Sequence, residues 1–208
     1  SAVEDLQILL KEGDYAEAEA GARKLLEAQE RTAPEDSKGR IEILDVLVQS
    51  LYRQWKVKKA GTEDLAKEAV ELSRRVYGDE DPIYARALNS LANVYFGLSN
   101  LESAREVWEQ ALTIRRKTLG PEHPDVAKTL NNLGLVCQQK GDYAGALRLL
   151  EQARIIREKA LGPDHPDVAT TLTNIGNQLV NLGDYDGAIE AQERALAIRE
   201  KALSADHP

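Results

Sequence analysis

The sequence predicts an all-α fold of stacked helix pairs, and three observations predict it. A motif recurs at a fixed interval of 42 residues. Within each interval apolar residues fall three and four apart, the spacing of one helical face. Glycine and proline punctuate the same points of every interval, and no segment alternates with the two-residue period of a strand.

Leu161-Gly162-Pro163-Asp164-His165-Pro166-Asp167-Val168-Ala169 repeats Leu119-Gly120-Pro121-Glu122-His123-Pro124-Asp125-Val126-Ala127. Tyr77-Gly78-Asp79-Glu80-Asp81-Pro82-Ile83-Tyr84-Ala85 stands one interval earlier. One interval later comes Leu203-Ser204-Ala205-Asp206-His207-Pro208. Leu88, Leu130 and Leu172 share a register position, as do Ile114, Ile156 and Ile198.

The elements follow in order. Gly13-Asp14-Tyr15 with Ala18 marks a helix-turn-helix at the N-terminus, across residues 1–31. Residues 41–77 form a second unit, in which Leu44, Leu47 and Leu51 align with Leu130, Leu133 and Cys137. Its turn, around Trp55 to Thr62, is two residues longer than the others. Units three, four and five cover 82–118, 124–160 and 166–202. In the fourth, Val126, Leu130, Leu133 and Cys137 line the packing face of the first helix. Gly141 closes that helix in a left-handed conformation, and Asp142 accepts a hydrogen bond from free N–H groups of the next. Ala146, Leu147, Leu150, Ala153 and Ile156 face inward on the second helix. The recurrent alanines, Ala104, Ala146 and Ala188 with Ala111, Ala153 and Ala195, mark where helices approach too closely for a larger side chain. One hairpin cannot bury both its apolar faces, so neighbouring units must cover them.

The pattern L-x-x-L/I-G/A, then G-D-Y-x-x-A, then alanine seven residues on, resembles the tetratricopeptide repeat. The common unit has about 34 residues, so this one is longer by about two helical turns. With its H-P-D-V-A start and Leu130-Asn131-Asn132-Leu133 stretch, it is similar to the long variant of kinesin light chains and bacterial signalling proteins. The resemblance implies a right-handed α-solenoid of about five repeats and ten helices, in one domain over 1–208 that is a fragment of a longer repeat protein. It also implies that the first helix of each pair lines a concave groove.

Composition excludes several activities. The chain of 208 residues has formal charge −8, mean hydropathy −0.45 and no long apolar run, which disfavours nucleic acid and membrane as partners. No glycine-rich phosphate loop, nucleophile elbow or zinc-protease motif occurs. His123, His165 and His207 fall at one repeated linker position, where a helix-start role beside proline outweighs a metal or acid/base ladder. Cys137 stands on an apolar face and reads as a small core residue; a single cysteine suits a reducing, cytoplasmic setting. No catalytic residue, metal or cofactor is expected.

Charge is divided unevenly between the helices. Residues 85–98, 127–140 and 169–182 carry only Arg86, Lys128 and Lys140 as charged groups, whereas 101–118, 143–160 and 185–202 carry 20. The first helices carry carboxamides instead. A carboxamide satisfies a peptide N–H and C=O together, so such a row suits an extended peptide. The candidate peptide-binding residues are Arg86, Asn89, Asn93, Lys128, Asn131, Gln138, Thr173 and Asn177. Kinesin light chains grip short acidic peptides in this groove, which Arg86 and Lys128 suit. An alternative cause of the low charge is simple burial between second helices. The leading expectation is a non-catalytic scaffold that binds a protein or peptide. The alternative is a regulatory repeat module of a larger sensor or effector protein, able to self-associate through open solenoid ends.

Overall fold

The computed structural model describes residues 1–59 and 61–206 and contains ten helices among them, with no strand. They are α1 (Ala2–Glu12), α2 (Tyr15–Thr32), α3 (Ser37–Arg53), α4 (Thr62–Tyr77), α5 (Pro82–Gly97), α6 (Leu101–Leu119), α7 (Pro124–Gln139), α8 (Tyr143–Leu161), α9 (Pro166–Leu182) and α10 (Tyr185–Asp206). None is long and apolar enough to cross a membrane among the described residues. Two compact units divide the chain, Ser1–Ile114 and Arg115–Pro208.

Short polar side chains start these helices. Asp81 accepts a hydrogen bond from Ile83 N–H, and Pro82 follows at the first helical position, where its missing N–H costs nothing. His123 and His165 do the same work through Nδ1, each accepting from the N–H two residues on at 3.1 Å. The expected helix-start role of these histidines is thus a defined bond, while His207 lies outside the described residues. Asp142 Oδ1 accepts from Gly145 N–H at 2.8 Å. Asp14 of the N-terminal copy makes no such bond.

The first unit packs α3 as its central helix. Ile43, Val46, Leu47 and Leu51 meet Leu6, Ala18 and Ala22 on one side. Ile41 and Leu44 meet Ala69, Leu72 and Ala87 on another, and Val48 joins Ala66, Leu91 and Val94. Tyr95 packs against that last cluster, while Phe96 tilts against Trp108 with ring centroids 5.7 Å apart. The two adjacent rings therefore serve different neighbours, and both are half-buried.

In the second unit Leu150 packs with Ile175 and Ala191, and Val168, Ala169 and Leu172 pack with Ala195 and Ile198. Alanine sets the helix spacing: Ala146, Ala153 and Ala195 are fully buried. A Cβ added at Gly134 would stand 3.1 Å from Leu150 Cγ and 3.5 Å from the Ala146 carbonyl oxygen, so α7 and α8 touch there almost backbone to backbone.

A buried cation joins α8 to α9, and another joins α6 to α7. Arg157 donates through Nη1 to the Asp167 carbonyl at 3.0 Å and to Thr171 Oγ1 at 2.5 Å. One interval earlier, Arg115 donates to the Asp125 carbonyl at 3.0 Å and to Thr129 Oγ1 at 2.7 Å. Burial lowers the Arg157 guanidinium below its ordinary value, partly offset by Asp167, and it stays charged at neutral pH.

Candidate functional site

In the second unit the first helices α7 and α9 lie side by side, joined by amide rungs. Asn174 Nδ2 donates to Asn131 Oδ1 at 3.0 Å, and Gln178 Nε2 donates to Gln138 Oε1 at 3.0 Å. Gln178 also donates to the Asn174 carbonyl at 3.1 Å. Asn131 is buried and Gln178 wholly so. These amides therefore hold one first helix against the next.

A stripe at helical spacing runs along the accessible side of each of these helices. On α7 it comprises Lys128, Asn132, Leu135 and Gln139; on α9 it comprises Thr170, Asn174, Asn177 and Asn181, each 42 residues on. All eight are exposed or half-buried, and none is acidic. The α9 stripe adds uncharged donors and acceptors beside the Lys128 cation. Gln192 Nε2 reaches Asn177 Oδ1 at 3.4 Å and the Thr173 carbonyl at 3.3 Å from α10. Arg199 Nη2 donates to Thr173 Oγ1 at 2.8 Å.

In the first unit Arg86 Nε pairs with Asp45 Oδ2 of α3 at 3.1 Å, and Ser90 Oγ donates to the other Asp45 oxygen at 3.2 Å. A carboxylate of the chain itself thus already occupies Arg86. Asn89 is 4% exposed, with its Oδ1 buried and without a hydrogen-bond partner. Asn93 is half-buried.

The structure therefore sorts the residues named from sequence. Lys128, Gln138, Thr173 and Asn177 remain wholly or partly accessible in the second unit. Asn89 and Asn131 lie beneath the surface, at 4% and 8% exposed. Asn132 and Asn174 belong to the accessible stripe. Their signal was the register itself: positions 128, 132, 135 and 139 share one face at helical spacing. Asp45 aligns with Asn131 once Leu44 is set against Leu130, so it holds a carboxylate where Asn89 and Asn131 carry an amide. No group of three or more His, Cys, Asp or Glu residues converges to hold a metal ion among the described residues.

Comparison with known proteins places this architecture. No curated protein matches the chain. Among solved structures, BtubC (BKLC) from P. vanneervenii is 26% identical, with a TM-score of 0.75 over 98% of this chain and 80% of that one. A Podosopora anserina putative kinesin light chain with nearly identical TPR-like repeats is 24% identical, with a TM-score of 0.72 over 97% of this chain and 95% of that one. A Rap protein complexed with Competence and Sporulation Factor has a TM-score of 0.82 at 18% identity, over 95% of this chain and 52% of that one. Repeats of this type characteristically mediate protein–protein contacts. The tetratricopeptide repeat model matches residues 62–117, 85–154 and 125–201, and with its all-α solenoid of helix pairs the chain belongs to the tetratricopeptide repeat family.

Proposed function

We propose that the chain is a non-catalytic protein-binding scaffold that takes an extended, acidic peptide segment along the α7 and α9 stripes. The observation that carries this reading is a pair of stripes with a cation at Lys128, amides at Asn132, Asn174, Asn177 and Asn181, and no carboxylate among their eight residues; the nearest acids, Asp125 and Asp167, stand at the helix starts. Peptide N–H and C=O groups leaving water need partners, and carboxamides supply both kinds. Rungs such as Asn131–Asn174 fix the spacing of the stripes, so little side-chain freedom is lost on binding. Gln138 and Thr173 flank the stripes. Arg86 and Asn93 offer a counterpart in the first unit, where an acidic ligand meets Arg86 in competition with Asp45. The single thiol of Cys137 suits a reducing compartment such as the cytoplasm.

A phage-displayed library of random peptides, selected on the intact chain, tests the reading. Enriched sequences should be acidic, and Lys128→Glu with Asn177→Ala should weaken them by about tenfold or more. Equal binding by that variant, with its helical circular dichroism intact, overturns the reading.

A second reading rests on α10. Ile189, Leu196 and Leu203 stand seven residues apart and are 56%, 55% and 62% exposed. One interval earlier, Leu147 occupies the position of Ile189 and packs against the Leu150, Ile175 and Ala191 cluster. The bare row on α10 favours association with another copy or a regulatory partner domain, and sedimentation over a concentration range tests it: a monomer at every concentration speaks against self-association.

A further inference from the structure

Every first helix closes on a residue in the left-handed conformation. Gly13, Gly141 and Gly183 close α1, α7 and α9 at φ 93°, 78° and 83°. Ser99 closes α5 at φ 62°. In α3 that position holds Trp55, at φ 57°. The hydrogen bonds are those of the same turn: Trp55 N–H donates to the Tyr52 carbonyl at 3.0 Å, and Lys56 N–H to the Leu51 carbonyl at 2.9 Å. Glycine is favoured there because a Cβ in this conformation crowds the neighbouring carbonyl. Tryptophan is thus a strained choice, and it is 81% exposed, so burial does not repay the strain.

Its surroundings are built. Tyr15, Tyr52, Arg53 and Trp55 line a cleft of about 240 Å³. The loop that carries Trp55 is pinned to α2 on both sides of the ring. Gln54 Nε2 donates to the Tyr15 carbonyl at 3.0 Å and to Glu19 Oε2 at 3.1 Å. Lys56 Nζ donates to Glu19 Oε2 at 2.9 Å, and Lys59 Nζ to Glu19 Oε1 at 3.1 Å. Residues 52–59 contain Arg53, Lys56, Lys58 and Lys59 and no acid, in a chain of net charge −8. Glu19 answers two of these cations, while Arg53 and Lys58 are exposed and make no ion pair among the described residues.

We infer that the Tyr15–Tyr52–Trp55 cleft is a second docking site, which takes an acidic, proline-bearing extended segment of a protein partner. Three aromatic residues among the four that line an open, half-polar cleft suit the flat face of proline, which is already ordered in the extended form. Arg53 and Lys58 select flanking carboxylates by charge. Single-stranded nucleic acid also pairs stacking with cations, but it needs several platforms along a basic track, and this chain is acidic overall. The site lies in the first unit and does not depend on the α7 and α9 stripes.

The test uses the intact chain and short acetylated peptides with two central prolines flanked by glutamate. Lysine-flanked peptides, glycine-for-proline peptides and oligothymidylate serve as comparisons. Trp108 is buried, so a blue shift of tryptophan emission on titration reports on Trp55. The glutamate–proline peptides should bind, with affinity falling by about tenfold or more in Arg53→Glu, read by Trp55 emission, and in Trp55→Gly, read by calorimetry because that variant lacks the reporting ring. Glycine suits this backbone, so Trp55→Gly should not lower the melting temperature. Absence of binding by these peptides, equal binding of the lysine- or glycine-substituted series, preference for oligothymidylate, or undiminished binding by Trp55→Gly each overturns the inference. Lys128→Glu should leave this binding unchanged, which separates failure here from failure of the stripe on α7 and α9.

Discussion

Asn174 of α9 donates its amide to Asn131 of α7 across 3.0 Å, so two residues of similar chemistry hold consecutive repeats in register. Replacing Asn174 by alanine strands the Asn131 acceptor in a buried position. The expected loss is about 1–2 kcal/mol, read as a lower urea midpoint with the slope unchanged.

The Arg157–Thr171 bond is the stronger join, because both groups are buried and the donor is charged. Thr171→Val should cost about 1–3 kcal/mol, since it leaves the guanidinium with only the Asp167 carbonyl. Combining it with Arg157→Met should cost less than the sum of the single changes, with a coupling of about 0.5–3 kcal/mol in a double-mutant cycle. Additive losses would show that the two groups act independently.

Packing at α7 and α8 makes two further stability tests. Leu133 is 5% exposed, and Leu133→Ala should cost about 2–5 kcal/mol through the cavity left behind. Ala146 is fully buried beside Gly134, and Ala146→Leu should cost about 1–3 kcal/mol through overpacking. Thermal melts of both variants check this, and unchanged melting temperatures would contradict the helix spacing.

Glu19 gives the first unit a pH dependence of known sign. Burial alone raises its carboxyl, but hydrogen bonds from Lys56, Lys59 and Arg23 outweigh that and hold it down to about 2. A carboxylate depressed on folding stabilises above its unfolded pKa, near 4.3, and loses that contribution as pH falls through the folded value. The window is therefore about pH 5 down to 2, and the contribution is roughly 2–3 kcal/mol. Urea unfolding across that window should show a steeper fall for the natural chain than for Glu19→Gln, and equal slopes would contradict the network.

The fold was legible because the 42-residue register places Leu88, Leu130 and Leu172, and the alanines beside them, on the same faces of successive helices. Helix starts were legible too, since proline follows Asp81, His123 and His165 at the first helical position. The site was only partly legible. Sequence spacing places a carboxamide on a face, but it does not say whether that amide meets a ligand or a neighbouring amide, as Asn131 meets Asn174. Asp45 stands at the Asn131 position once Leu44 is set against Leu130, but its hold on Arg86 is a contact between repeats that register alone does not reveal. The clamps at Arg115 and Arg157 carried a signal that went unread: both recur at 42 residues, each with a threonine 14 positions on. Nothing local identifies Trp55 as left-handed, because tryptophan is a poor predictor of that conformation.

The measurement that bears most directly on the central claim is an amide chemical-shift map of the intact chain titrated with an acidic peptide selected from the displayed library. Shifts concentrated at Lys128, Asn132, Asn174, Asn177 and Asn181 are the predicted result. Shifts confined to the charged outer faces of α8 and α10, with the α7 and α9 stripes silent, would contradict it.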